Sequence, residues 1–393
     1  MPKHLCIVTT HPIQYYAPWF RYLTQFYELE VLYLYRQDAQ GQSKAGFGVQ
    51  FEWDVPLLEG YSYRWLNNVS PHPGFTGFNG CDTPEIHEII KNNQYDACLI
   101  FGWNYKSFWQ AIYACWQKNI PVLMRGDSQL TTKRSFVKQA IKYIPYRLLL
   151  PRLACHLYVG QHNKVYLRHY GVPESKLFFT PHFVDNQYFQ TAVKNIESSQ
   201  SHLQLRQKLD IPDDSSVFLF VGKFISRKRP ADFIEALRIV YKTLSINIRS
   251  IMVGDGPLRQ HLEALAVSYH LPVHFVGFCN QGYLPTFYRA ADVLVLPSDS
   301  EETWGLVVNE AMACGLPCIV SDACGCAPDM IDEDKTGYTY PVGNVEILAQ
   351  KMIDIIKKLK NQKEQIRNSI AEKIKIYSME QATQSLEEAL RQF

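Results

Sequence analysis

Residues 292–322 read "DVLVLPSDSEETWGLVVNEAMACGLPCIVSD". An apolar run, "DVLVLPS" (292–298), is followed by a polar loop, a helix-length stretch opening near Gly305, and a second apolar run, "PCIVSD" (317–322). This is the grammar of a buried strand, a loop, a helix and the next parallel strand. Glu302 and Glu310 stand eight positions apart, on either side of Gly305, Leu306 and Val307. The first amides of a helix lack intrahelical partners and carry partial positive charge. Gly305 has no side chain to keep an anion away, so the amides of Gly305, Leu306 and Val307 can hold a phosphate. Glu310, further along the helix, suits the hydroxyls of a ribose, and Glu302 those of a second sugar. The spacing fits an elongated ligand of sugar, diphosphate and ribose. On spacing alone, an ordinary helix behind an acidic loop fits equally well.

The same alternation runs outward in both directions. Downstream of residue 210, "VFLFVG" (217–222), "IRSIMVGDG" (248–256) and "VHFVG" (273–277) precede it, separated by helical patterns. The first half repeats the arrangement at "HLCIVTT" (4–10), "LEVLYLY" (29–35), "YDACLIFGW" (95–103), "IPVLMRG" (120–126), "CHLYVG" (155–160) and "KLFFTP" (176–181). Near-continuous apolar strands alternating with helices predict an α/β chain with two doubly wound parallel sheets and ligands at the strands' carboxyl ends. A polar stretch around 191–215 lacks a strand pattern and marks the change of domain. The expected division is 1–195, 196–375, and a terminal helix in 376–393 that crosses back to the first domain. Two such domains leave a cleft between them.

Composition narrows the class. The 393 residues are 47% hydrophobic and 20% charged, as in a folded globular protein of two domains. The opening "MPKHLCIVTT" reads as a first strand rather than a signal peptide, and no apolar run is long enough to span a bilayer. A cytoplasmic protein is expected. The cluster Cys314, Cys318, Cys324 and Cys326 lacks paired zinc spacing and reads as packing, so no metal site is expected. "DED" at 332–334 reads as a solvated loop.

A second motif, "VGKFISRKRP" (221–230), follows the first strand of the second half. Lys223 and Lys228 flank a loop at the sheet's carboxyl edge, where two cations can neutralise a diphosphate leaving group. With this loop, the Glu302–Glu310 element, "GDGP" (254–257), "FVG" (275–277) and "TPHFVD" (180–185), the chain resembles the retaining glycosyltransferases of the GT-B fold, the family that contains sucrose synthases and many bacterial mannosyl- and glucosyltransferases. The resemblance is strongest over 217–345. It implies a nucleotide-sugar donor, most commonly of UDP, with no cofactor and no metal required. It implies that Gly222, Lys223 and Lys228 bind the diphosphate together with the Leu306 and Val307 amides, that Glu310 holds the ribose, that Glu302 meets the donor sugar, and that Gly277, Phe278 and Cys279 face the base. It further implies front-face transfer with retained configuration, in which the departing diphosphate helps to deprotonate the acceptor.

The chain departs from that pattern in two places. The glycine-rich loop that many relatives carry after the first strand is "TTHPIQYYAP" (9–18) here, which puts His11 and Gln14 at the cleft. The histidine that many relatives carry at the end of a later strand is replaced within "PVLMRGDS" (121–128) by Arg125, followed by Asp127. Arginine cannot serve as a base. Arg125 is expected to bind phosphate or developing charge and Asp127 an acceptor hydroxyl, against the alternative of an Arg–Asp pair that fixes the loop. These departures leave room for a catalytically silent glycan- or nucleotide-binding protein of the same fold. A sugar-nucleotide epimerase is the enzymatic alternative.

Charge is uneven. Residues 1–190 hold 18 Lys and Arg against 13 Asp and Glu, the remainder 22 against 25. From Ser128 to Pro173 there is no acid, while Lys133, Arg134, Lys138, Lys142, Arg147 and Arg152 alternate with apolar residues. Such a helix suits an anionic membrane surface, so 133–152 is a candidate for peripheral contact, against the alternative of a surface helix with one core-facing stripe. With Tyr15, Tyr16, Trp19, Trp103, Tyr105 and Trp109 near strand ends, a glycan or lipid-linked acceptor is expected. Nucleic acid is not expected, because net charge is only +2 and no recognition motif is present.

Overall fold

The computed structural model describes residues 3–36, 51–132, 136–244 and 246–393. It contains two parallel sheets. The first is formed by β1 (His4–Thr9), β2 (Glu28–Tyr33), β3 (Ser62–Trp65), β4 (Ala97–Phe101), β5 (Val122–Gly126), β6 (Cys155–Tyr158) and β7 (Leu177–Phe179), in the order β3-β2-β1-β4-β5-β6-β7. The second is formed by β8 (Ser216–Val221), β9 (Ile248–Val253), β10 (Val273–Gly277), β11 (Val293–Leu296), β12 (Cys318–Ser321) and β13 (Gly337–Tyr340), in the order β10-β9-β8-β11-β12-β13. The inner strands are buried on both faces by helices, which is why they read as unbroken apolar runs. In each sheet the winding reverses beside the first strand, between β1 and β4 and between β8 and β11. Crevices open at such reversals, on the carboxyl side of the strands.

One strand carried no apolar signature. Ser62–Trp65 is an exposed edge strand paired with β2, so nothing selects for continuous hydrophobicity along it. The polar stretch read as the change of domain is helical instead, with Asn186–Ser199 capped by Asp185 and then Ser201–Lys208. Phe189 and Leu205 on these helices join the core of the second sheet, and Arg206 pairs with Asp292. Both helices thus pack with the second sheet.

The long helix Val345–Ile376 covers the second sheet. The helix Met379–Leu390 then returns to the first, where Ala382, Leu386 and Ala389 pack with Leu5, Ile7 and Trp19. Trp19 fixes its register by donating from Nε1 to Thr383 Oγ1 at 3.0 Å.

Candidate active site

The two crevices face each other, and a cavity of about 270 Å³ lies between them. The loop after β8 supplies Gly222, Lys223, Arg227 and Lys228, and the ends of β9 and β10 supply Gly254, Asp255, Phe278, Cys279 and Gln281. Val307 and Glu310 come from the helix Val307–Ala313. The first domain closes the space with Gln14, Tyr15 and Trp53. Glycine is required where these loops cross. Gly254 has φ +137°, and a Cβ there would lie 2.0 Å from the Gly222 carbonyl oxygen.

One end of the cavity is cationic. Burial, together with the charges of Arg227 and Lys228, lowers the Lys223 ammonium to about 8, partly offset by Glu302. Lys228 pairs with Glu302, their side chains 12% and 16% exposed. The first glutamate of the sequence motif thus lies against the lysine loop in the ligand-free protein. A carboxylate occupies the position where an anionic ligand would meet Lys228.

Glu310 is buried and accepts from two tyrosine hydroxyls. Tyr288 donates to Oε2 at 2.5 Å and Tyr15 to Oε1 at 2.9 Å. Burial raises its carboxyl to about 7, against the lowering effect of these two bonds. Tyr15 belongs to the first domain, so this bond crosses the cleft. It stands where the expected ribose contact would be, and a ligand hydroxyl reaching Oε1 would replace the Tyr15 hydroxyl. Sequence reading placed Tyr15 among aromatics near the cleft but did not pair it with Glu310. The signal was its place in the loop that departs from the family's glycines.

The role expected of Gly305 is corrected. Its φ is +103°, and a Cβ would point into the core, 2.7 Å from Leu296 Cδ2 and 3.4 Å from Cys324 Sγ. The glycine lets the chain turn against β11, and the direction its Cβ would take is away from the cavity. The helix starts two residues later than expected, and of Gly305, Leu306 and Val307 only Val307 lines the cavity. Gly277, at φ +79°, accepts through its carbonyl from the Gly254 amide at 2.8 Å. Phe278 and Cys279 beyond it line the cavity.

His11, Arg125 and Asp127 fall in a second chamber of about 430 Å³, on the first-domain side of the cleft with Thr10, Tyr16, His182 and Thr303. Arg125 does not present itself as an anion binder. Its guanidinium is buried, donates to the carbonyls of Thr180 (2.5 Å) and Pro181 (2.8 Å), and lies 5.3 Å from the Trp19 ring centre. It fixes the "TPHFVD" turn, a structural role reached through carbonyls rather than through Asp127. Asp127 accepts from Thr303 Oγ1 at 2.7 Å, another bond across the cleft. His11 packs on Phe75 at 4.7 Å, and burial lowers its imidazole to about 4, so it is neutral at pH 7.

The basic segment forms the helix Phe136–Leu149. Val137, Ile141, Ile144 and Leu148 are 62%, 68%, 67% and 53% exposed. They recur at the spacing of one helical face, so the apolar stripe faces outward and not into the core. Lys133, Arg134 and the Lys138 side chain lie outside the described residues. No helix among the described residues is long and apolar enough to cross a membrane.

Comparison with known proteins adds to this geometry. Residues 202–372 match the family described as Glycosyl transferases group 1. The N-acetyl-alpha-D-glucosaminyl L-malate synthase of Bacillus anthracis is 27% identical over 175 residues, which is 44% of this chain and 45% of that enzyme. The chain spans less than half the length of the curated relatives it matches first, from 20% to 46% of them. Solved structures align over the whole chain. A glycosyltransferase from Rickettsia africae ESF-5 superposes with a TM-score of 0.76 at 18% identity, covering 100% of this chain and 98% of that one. Anabaena Alr3699/HepE, solved in complex with UDP and glucose, superposes with a TM-score of 0.72 at 16% identity and covers 100% of both chains. The fold is GT-B, with two parallel-sheet α/β domains facing across a cleft.

Proposed function

We propose that this chain, whose residues 202–372 match the glycosyl transferases group 1 family, transfers a hexose from a nucleotide sugar, with retention, to a hydroxyl of a glycan or lipid-linked acceptor. The observation that carries this reading is the asymmetry of the cavity between the domains. Lys223, Arg227 and Lys228 gather at one end, and Phe278, Cys279, Gln281 and Leu284 line the space beyond. A nucleoside diphosphate has the same division of charge. UDP is the first nucleotide to test, because Anabaena Alr3699/HepE holds UDP with glucose in the same fold.

In this reading the diphosphate lies against Lys223 and Lys228 and displaces Glu302 from Lys228. Negative charge grows on the leaving oxygen as the glycosidic bond breaks. Two partly buried ammonium groups stabilise that charge more than they stabilise the bound donor, which lowers the barrier. The freed Glu302 carboxylate accepts from donor-sugar hydroxyls, and Glu310 from the ribose. Metal chelation leaves transfer unchanged in this scheme. The acceptor enters from the second chamber, where Asp127 can take a hydroxyl.

We also propose that the helix Phe136–Leu149 rests on an anionic membrane. Its apolar stripe would enter the headgroup boundary, and Lys142, Arg147 and Arg152 would meet lipid phosphates.

The test is a thermal-shift screen against UDP-, GDP- and ADP-sugars with a Lys228→Ala variant beside the wild type. One nucleotide series should stabilise the wild type, by roughly 2.7 kcal/mol at about a hundred times its Kd, and should fail to do so in the variant. Equal shifts in both proteins would remove the diphosphate from this site.

A further inference from the structure

The end of the cavity opposite the lysines is closed by the first domain. Residues 51–54 cross the cleft and are held on the loop that follows β10. Asp54 accepts from the Gly282 amide through both carboxylate oxygens, each at 3.0 Å. Asn280 Nδ2 donates to the Glu52 carbonyl at 2.7 Å, and Phe51 packs on Phe278 with ring centres 4.3 Å apart. A Cβ at 282 would lie 2.7 Å from Asp54 Oδ2, so any larger residue there would push the carboxylate aside. These contacts place Trp53 in the cavity wall, next to Phe278, Cys279 and Gln281. Gln281 is buried, lines the same space, and its Oε1 has no hydrogen-bond partner among the described residues. An amide oxygen left unpaired in a largely apolar wall carries a desolvation cost that a ligand N–H would remove.

We propose that the base subsite is assembled from both domains, with Trp53 giving the face on which a nucleobase stacks and Gln281 accepting from a base N–H. The proposal rests on the nucleotide-sugar reading and adds to it the residues that bind the base. It has a structural consequence. The base contacts both domains, so the nucleotide reinforces the existing hold of residues 51–54 on the loop 278–282 and keeps the cleft in its closed arrangement. A sugar phosphate or pyrophosphate, which has no base, gains none of this.

The experiment is calorimetric titration of wild type, Trp53→Ala, Trp53→Phe and Asp54→Ala with UDP, GDP and ADP, and in parallel with inorganic pyrophosphate. Trp53→Ala should weaken the preferred nucleotide about tenfold, the usual worth of one base–aromatic stack, while leaving pyrophosphate within about twofold of wild type. Trp53→Phe should recover most of the loss. Asp54→Ala, at an exposed residue whose removal does not threaten the core, should weaken the nucleotide but not pyrophosphate. Unchanged nucleotide affinity in Trp53→Ala overturns the two-domain subsite while leaving the donor reading standing. Equal weakening of nucleotide and pyrophosphate also overturns it, because Trp53 would then be shaping the fold rather than meeting the base. Failure of the wild type to bind any of the three nucleotides overturns the donor reading and this inference together.

Discussion

Replacing Glu310 by Gln tests the buried carboxyl at the centre of the cleft. Glu310 is held at about 7 in the folded protein, against an ordinary value of 4.5. A carboxyl with a raised folded value binds more protons in the native state than in the unfolded state. Its contribution to stability is therefore full below about pH 4.5 and is lost as pH rises through 7. The complete excursion is roughly 3 kcal/mol, and about 2 kcal/mol of it falls between about pH 5.5 and pH 8. The Glu310→Gln side chain has nearly the same shape, keeps one acceptor oxygen, turns a donor toward the other tyrosine hydroxyl, which can accept it, and does not titrate. Every other ionisable group is common to the two proteins. The difference in unfolding free energy between wild type and variant, followed by urea denaturation at the two pH values, should thus move by about 2 kcal/mol in favour of the variant as pH rises. A difference independent of pH would show that the carboxyl is not held protonated by burial, and would refute the argument that enclosure in the cleft outweighs the two tyrosine bonds.

Three further outcomes follow from the same geometry. Glu302→Gln removes the carboxylate that competes for Lys228, a partly buried pair worth roughly 1–2 kcal/mol. UDP should bind the variant about tenfold more tightly by calorimetry, while transfer slows because the donor sugar loses a hydroxyl acceptor. Gly305→Ala should destabilise the protein by about 1–3 kcal/mol in denaturant melts, since φ is +103° and the new Cβ would lie 2.7 Å from Leu296 Cδ2. Ile141→Glu with Ile144→Glu should abolish co-sedimentation with vesicles containing anionic lipid, while turnover on a water-soluble acceptor is kept. Retained co-sedimentation would rule out this helix face as the contact.

The parallel sheets were legible because their strands are covered on both faces, so burial leaves an unbroken apolar record at 217–222 and 293–296. Ser62–Trp65 lay beyond that signal because an exposed edge strand is fixed by backbone bonds to β2, which any side chains allow. In the site, the motif spacings picked out Lys223, Lys228 and Glu310, all of which line the cavity between the domains. They did not reveal the Tyr15–Glu310 bond, which joins residues 295 positions apart. Arg125 shows the opposite difficulty. A cation ending an apolar strand looks poised for a ligand, yet its partners are two backbone carbonyls, and backbone geometry leaves no trace in residue type. Gly305 was singled out correctly as a position that needs glycine, but the reason is the core behind it.

The most direct test of the central claim is a crystal structure of the protein with UDP at saturating concentration. The account predicts a diphosphate in contact with Lys223, Lys228 and the Val307 amide, Glu302 released from Lys228, and the Tyr15 hydroxyl displaced from Glu310 by the ribose. Nucleotide bound elsewhere, with the Lys228–Glu302 pair and the Tyr15–Glu310 bond intact, would contradict it.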